Sequence, residues 1–597
     1  MTTRLGLVLA AGAAILAAAV PDRDARQTEL PDYKTHFSMR EYTSRKQWEA
    51  RKQHLRQQIL SAAGLLPMLP KTPLRPKFVR RIECGDYTIE AVLLETLPGY
   101  FLGGNLYRPA HKKNRVPGAL LAHGHWKRGR LENDPSYSVP ALGVNLAKQG
   151  YVVFAYDMVG YNDTRQTPHS FGGWEETLWS FHPMGLQLWN SIRALDFLQS
   201  LPDVDGRRIA ATGGSGGASQ TFLLAAVDDR VGYAAPVNMV SAYMQGGDPC
   251  EEAPNLRLDT FNVEIAAMMA PRPMLLVSST RDWTRHTPAE EFPAIRRIYE
   301  LYGVPNNVSN AHFDAEHNYN RQSREAVYHF LARNLQPDLT PAELVDKECA
   351  LPSDDELLAF PKGDLPDLGG YGDIFQAWKA ASTLQAQESG DLGERRDALR
   401  YALGAEWPGE VENSVRGNRA VLSRTGKGDR VAAYWSPGKG VPAVVIHPRG
   451  SDAALRTEIG ARLARSGRPL LMIEPFASEQ ARLNKQRSDE YFLSYNQTDA
   501  SGRVQDILTA LAFVKSQSRA RPTLIGLGIA GIWCIFAAAV APVDIDVIAD
   551  VNGFGGANED FRERFLVPGI QRAGGLSMAL RLVNHGRISM LSLAEPR

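Results

Sequence analysis

The sequence predicts an α/β protein with a doubly wound, mostly parallel sheet, and predicts that fold in duplicate. Three observations carry this expectation. Short, continuously apolar segments at 118–122, 151–156, 209–212, 231–237 and 273–278 read as strands buried on both faces of a sheet. Helical patterns at 138–149, 185–201 and 219–226 fall between them, and strands alternating with helices build parallel sheets. Landmarks of the first half then recur in order in the second: ALLAHGHWK at 119–127 returns as AVVIHPR at 443–449, LAKQG at 146–150 as LARSG at 463–467, and RALDFLQS at 193–200 as TALAFVKS at 509–516.

The chain opens on Arg4, then an apolar stretch from Leu5 to Val20 with Ala17, Ala18 and Ala19 near its end, then the charged run Asp22, Arg23, Asp24. A positive start, a short apolar core and a small-residue cleavage site mark a secretory signal over 1–20, because about 20 apolar residues are needed to span a bilayer. The expectation is a secreted or periplasmic protein with no membrane span after signal removal; an uncleaved anchor is the alternative. A polar helical stretch at 39–63 follows, and then alternating segments such as 87–97 that read as antiparallel strands. The βα series completes a first domain over 30–335. Residues 336–372 turn to Pro, Asp and Gly with weak periodicity and read as a linker, and 373–597 form the truncated second copy.

With 597 residues, 44% of them hydrophobic, the chain can bury more than one core, and 67 basic against 66 acidic side chains leave no electrostatic footprint for nucleic acid. The expected partner is a small molecule or a neutral polymer. Cys84, Cys250, Cys349 and Cys534 are widely spaced and show no paired metal-ligand spacing. Export permits disulfides, but no pairing is indicated.

The chemistry concentrates in IAATGGSGGASQTFLL at 209–224, a strand, a glycine-rich turn and a helix start in succession. Gly213, Gly214, Ser215, Gly216 and Gly217 form G-x-S-x-G, in which a serine sits on a strained strand-to-helix turn that tolerates only small neighbours. A phosphate-binding loop is the competing reading, but the Gly-Lys-Ser/Thr ending is missing. Serine needs an adjacent base, itself oriented by a carboxylate. Asp282 follows the apolar strand at 273–278, at the sheet edge where catalytic groups collect, and His317 lies further on in HFDAEHNYN. The expected triad is therefore Ser215, His317 and Asp282. His312, Asp314, Glu316 and His317 also suggest a metal cluster, but no helix places them on one face, and no metal or other cofactor is expected.

A tetrahedral intermediate needs N–H donors for its oxyanion. Gly216 supplies one, and AHGHW at 122–126 points to the N–H of His125 or Trp126 as the second. His123 and His125 are more economically read as parts of this loop than as a metal pair. Trp126, Trp174, Trp179 and Trp283 are candidates for lining the substrate pocket.

HGHW, YDMVGY, LWNSIRALDFL, GGSGGASQTFLLAAVDDR, APVNMVSAYMQGG, LRLDTFNVEIAAMMAPRPMLLVS, RDWT and AEHNYN together resemble the bacterial dienelactone-hydrolase-like and acetyl xylan esterase-like branch of the α/β hydrolases, over roughly residues 75 to 335. The resemblance implies the α/β-hydrolase fold and hydrolysis of short acyl esters without a cofactor, acetyl groups on plant polysaccharide such as xylan among them. It carries the nucleophile onto Ser215, the carboxylate onto Asp282 and the base onto His317. At the elbow the chain departs from the acetyl xylan esterases, with Gly216 where they carry Gln.

In the second half, aligning Ala225, Ala226 and Val227 with Ala538, Ala539 and Val540 puts Gly528 at the Ser215 position, so the nucleophile is absent. Fewer residues follow Gly528 than separate Ser215 from His317, which leaves no room for a matching base loop. The expectation is a secreted serine carboxylesterase with a degenerate second domain. A serine peptidase of the prolyl-oligopeptidase type shares the triad order, but no propeller-like repeat precedes it. A non-catalytic binding protein leaves Ser215, Asp282 and His317 unexplained.

Overall fold

The computed structural model describes residues 20–111, 114–360, 369–388, 391–478, 491–583 and 587–591, so the signal expected at 1–20 lies outside them except for Val20. Among the described residues no helix is long and apolar enough to cross a membrane.

The first half forms β1 (Lys77–Glu83), β2 (Tyr87–Leu97), β3 (Tyr100–Pro109), β4 (Val116–Ala122), a two-residue hairpin β5 (Asn133–Asp134) and β6 (Tyr137–Ser138), β7 (Val152–Tyr156), β8 (Val204–Gly214), β9 (Tyr233–Val237), β10 (Met274–Arg281) and β11 (Val308–Glu316). All but the hairpin lie in one sheet of order β1-β2-β3-β7-β4-β8-β9-β10-β11. The pairs β1·β2, β2·β3 and β3·β7 are antiparallel, and every pair from β7 onward is parallel. Alternate residues of β4 enter two cores, which is why its run is apolar on both faces. Leu120 packs with Phe154, Trp189 and Ala211, whereas Ala119 and Leu121 pack with Val153, Ala210 and Val277. Helices start where side chains cap their free N–H groups, as Ser138 and Asn320 do for Val139–Lys148 and Arg321–Leu335.

The apolar pattern does not single out β1, β3 or β11. β1 and β11 are the two edges of the sheet, where outward faces stay polar: β1 is largely exposed, and Asp314 and Glu316 of β11 are exposed. In β3, Gly103 and Gly104 break the pattern because Asp163 and Phe154 press on the strand; a Cβ at these positions would lie 2.4 and 2.5 Å from their side-chain atoms.

The second half forms β12 (Val411–Arg416), β13 (Arg419–Arg424), β14 (Val431–Ser436), β15 (Ala443–Ile446), β16 (Leu470–Ile473), β17 (Thr523–Gly526), β18 (Asp546–Asp550) and β19 (Ile588–Leu591), ordered β12-β13-β14-β16-β15-β17-β18-β19. This repeats the first eight positions of the first sheet, including the exchange of two strands at its centre, and among the described residues no strand stands where β11 stands. Gly528 follows β17 with φ +58°, the same value as Ser215 after β8. The turn is retained and the hydroxyl is gone.

Hydrogen bonds to backbone oxygens join the two halves. Asn255 N–H donates to Leu493 O at 2.7 Å and Arg257 N–H to Ser494 O at 2.8 Å, while buried Arg572 donates to Gly64 O at 2.8 Å. A cavity of about 580 Å³ between them is bordered by Arg51, His54, Tyr401, Glu406 and Arg424, and not by Ser215, Asp282 or His317. Residues 336–360 pack on the first sheet: Leu357 O accepts from Asn105 Nδ2 at 2.7 Å, and Asp163 accepts from the N–H groups of Ala359 and Phe360, each at 3.0 Å. Among the described residues the four cysteines form no disulfide.

Candidate active site

The chain leaves β4 for β7 on one side and then for β8 on the other, so a crevice opens beyond the C-terminal ends of β4 and β8. Ser215 stands in it, half-buried between β8 and the helix Gly216–Val227, with φ +58° and ψ −127°. Such a backbone costs about 1–3 kcal/mol for a residue with a side chain and persists only where its surroundings enforce it. The flanking glycines are part of that enforcement. A Cβ on Gly213 would lie 2.5 Å from Ala122 O, and one on Gly217 would lie 2.1 Å from it, so only glycine lets the turn close on β4. The helix then presents its N-terminal N–H groups, Gly216 first, toward the crevice.

Asp282, in the loop after β10, is nearly buried and accepts from Trp283 N–H and Thr284 Oγ1, both at 2.7 Å. His317 follows β11, and its Nδ1 lies 3.3 Å from Asp282 Oδ1. The imidazole lies tilted by 39° against Trp283 with ring centres 4.3 Å apart, and the backbone carbonyl of His317 accepts from Tyr137 Oη at 2.8 Å. Asp282 and His317 are therefore brought together directly. Among the described residues no hydrogen bond joins His317 to Ser215, a contact that often tightens only with substrate present. The two flank one edge of the sheet: a Cβ on Gly214 would sit 3.1 Å from the Tyr319 ring, two residues past His317.

The loop after β4 lies against the elbow. His123 is fully buried, with Nδ1 2.8 Å from Gly124 O and Nε2 accepting from Met158 N–H at 2.9 Å, so both ring nitrogens are engaged. Burial, opposed by the Gly124 contact, pushes its pKa down to about 3, and it stays neutral. Trp126 N–H is taken by Gly124 O at 2.8 Å, so of the two N–H groups considered for the oxyanion it is the one already engaged. The His125 ring packs on Gly216, where a Cβ would be 2.5 Å from its Cε1. That contact explains locally why glycine, and no longer side chain, follows Ser215.

Around His125 the structure gathers groups that sequence reasoning passed over. Its Nδ1 lies 3.2 Å from Asp248 Oδ2 and its Nε2 3.1 Å from Cys250 Sγ, and its ring centre is 5.2 Å from that of His169. Burial lowers the pKa of His125, with Asp248 opposing and His317 adding to the fall. Glu251, buried and accepting from Ser219 Oγ at 2.8 Å, is raised to about 7 by its burial. The only hint in the sequence is the polar run DPCEE at 248–252, which lacks any motif spacing.

One expectation needs correction. Trp174 and Trp179 meet the second half of the chain: Arg562 covers the Trp174 ring at 4.9 Å, and the backbone carbonyl of Trp179 accepts from Trp378 Nε1 at 3.0 Å. They serve the contact between halves, whereas Trp283 against His317 and Trp126, with its ring centre 4.1 Å from that of Tyr137, stay at the crevice. His312, Asp314 and Glu316 lie on the strand β11, not on a helix; Ser278 engages His312 while Arg281 binds Asp314 and Glu316.

No protein-family profile matches the chain. Over 261 residues, 40% of this chain and 84% of its relative, it is 28% identical to "Putative hydrolase YtaP" of Bacillus subtilis (strain 168). Among solved structures it is similar to Methylesterase BT1017, with 30% identity, 58% of this chain and 78% of that one covered, and a TM-score of 0.49. The acetyl xylan esterase from Paenibacillus sp. R4 is 17% identical, with 52% of this chain and 99% of that one covered, at a TM-score of 0.34.

Proposed function

The chain belongs to the α/β-hydrolase superfamily, and from that premise we propose that it is a secreted serine carboxylesterase acting on esters carried by carbohydrate. What chiefly supports the reading is Ser215, held at φ +58° at the C-terminal edge of the sheet, on the same edge as the Asp282–His317 pair. In this reading Ser215 Oγ attacks the ester carbonyl carbon as His317 accepts its proton. Asp282, facing Nδ1, keeps the imidazole oriented and stabilises its cation. The oxyanion is met by the N–H groups of Gly216 and His125. Collapse returns the proton to the departing alcohol; water then attacks the acyl-enzyme by the same path and releases the acid.

The acyl group is proposed to be short, acetyl above all, because the His125 ring packs on Gly216, the residue after Ser215, and the Trp283 ring lies against that of His317. A second reading, a methyl ester, is favoured by the 30% identity to Methylesterase BT1017. Acetate release from acetylated xylan, methanol release from methyl-esterified polyuronate, and turnover of p-nitrophenyl acetate against an aminoacyl-p-nitroanilide separate these readings, with Ser215→Ala as control. Ester turnover that survives Ser215→Ala refutes the mechanism, and anilide turnover favours a peptidase.

A further inference from the structure

We propose that His125, His169 and Cys250 form a binding site for one thiophilic divalent cation, Zn²⁺, beside the serine elbow. The three side chains come from segments remote in sequence: the loop after β4, the loop after β7 and the DPCEE segment. One ligand atom of each lies within 4.8 Å of the others. Zinc bonds of about 2.0–2.3 Å in tetrahedral array put ligand atoms about 3.5 Å apart, so shifts of an ångström or less close the site.

The orientation of the rings is the second observation. A metal-bound histidine typically gives its other ring N–H to a carboxylate or a carbonyl, which fixes the tautomer. Both histidines do this. His125 Nδ1 faces Asp248 Oδ2 at 3.2 Å, leaving Nε2 toward Cys250 Sγ at 3.1 Å. His169 Nδ1 donates to Val159 O at 2.7 Å, and its Nε2 is buried without a hydrogen-bond partner. Cys250 is buried, with the Met158 thioether 3.8 Å from its sulfur. Two imidazoles and a thiol suit zinc, whereas calcium and magnesium seek oxygen.

Binding displaces the thiol proton to solvent and forms a Zn–S bond and two Zn–N bonds; a fourth position remains for water. His123 is excluded from the set because both its nitrogens are engaged. The carboxylate set His125, Asp248 and Glu251 would use the same imidazole through Nδ1. Its oxygen-rich donors and the missing sulfur separate it experimentally. Bound zinc would hold the His125 ring, and with it the loop after β4, against Gly216.

The test uses the full-length protein stripped with a chelator, and its readout is binding, so it does not depend on esterase activity. Metal analysis and titration calorimetry are expected to give one tight Zn²⁺ per chain. The Co²⁺-loaded protein is expected to show a thiolate-to-metal charge-transfer band. Cys250→Ser removes that band, and it and His169→Gln each weaken Zn²⁺ binding about 100-fold or more. Asp248→Asn, at the surface and not itself a ligand, weakens it about 10–100-fold. Absence of stoichiometric Zn²⁺, a Co²⁺ spectrum without the band, or His169→Gln binding as tightly as the wild type overturns the proposal. Should Cys250→Ser fail to fold, the wild-type Co²⁺ spectrum and the other two variants still decide.

Discussion

Replacing Gly216 by alanine puts a methyl carbon 2.5 Å from Cε1, 2.9 Å from Nδ1 and 3.3 Å from Nε2 of His125. Carbon atoms rest about 3.5–4.0 Å apart, so the ring must retreat by about 1 Å. It has little freedom to do so, because Asp248 engages one nitrogen at 3.2 Å and Cys250 the other at 3.1 Å. Overpacking of this kind costs about 1–3 kcal/mol of stability. Retreat of the ring drags the backbone N–H of the same residue away from the crevice, and a misplacement of about 1 Å lowers turnover about 10²-fold. The backbone of Gly216 is helical, so strain in φ adds nothing and steric contact is the whole effect. Steady-state kinetics on p-nitrophenyl acetate, paired with thermal unfolding, are the measurements. Wild-type kcat together with an unchanged Tm in Gly216→Ala would show that the ring moves aside freely, and the argument for a pinned oxyanion loop would fall.

Other consequences are equally direct. Ser215→Ala is expected to lower kcat about 10⁴-fold or more while leaving the circular dichroism spectrum unchanged; loss of less than tenfold would remove Ser215 as nucleophile. Asp282→Asn is expected to lower kcat about 10⁴-fold, since the amide stabilises the wrong tautomer of His317, and an assay showing only a KM effect contradicts that role. Gly528→Ser, made in the Ser215→Ala chain, is expected to restore a hydroxyl at the second elbow but no turnover, because among the described residues no strand of that half stands where β11 leads to His317; measurable activity would show a working second site. Glu291 is fully buried, and its burial, opposed by the Ala242 N–H bond at 3.0 Å, raises its pKa from 4.5 to about 7. The folded state thus holds this proton more tightly, so the stabilisation it contributes is full below pH 4.5 and lost as pH rises through 7. Thermal melts should show Glu291→Gln gaining on the wild type between pH 5 and pH 8; a constant difference across that range refutes the assignment.

How legible the molecule was depended on whether the signal was local. Strands of the sheet interior, such as β4 and β7, announce themselves because both faces are covered and every residue must be apolar. β11 stays hidden in SNAHFDAE because an edge strand can expose Asp314 and Glu316. The elbow is readable because Gly213 and Gly217 have backbone oxygen where a Cβ would go, a constraint written directly as residue type. The loop after β4 was only half readable: which of His125 and Trp126 keeps a free N–H depends on the Trp126–Gly124 turn, which residue type does not encode.

The residues by themselves determined the duplicated α/β architecture, the site of the strained turn and the lack of a hydroxyl at Gly528, since each follows from periodicity or from the identity of one side chain. Only the tertiary structure decided that Trp174 and Trp179 belong to the contact between halves and that Asp248, Cys250 and His169 converge on His125. The physical reason is that side chains from distant loops meet only after the sheet has set the spacing of the strand ends that carry them, and a meeting of that kind leaves no repeat in the chain.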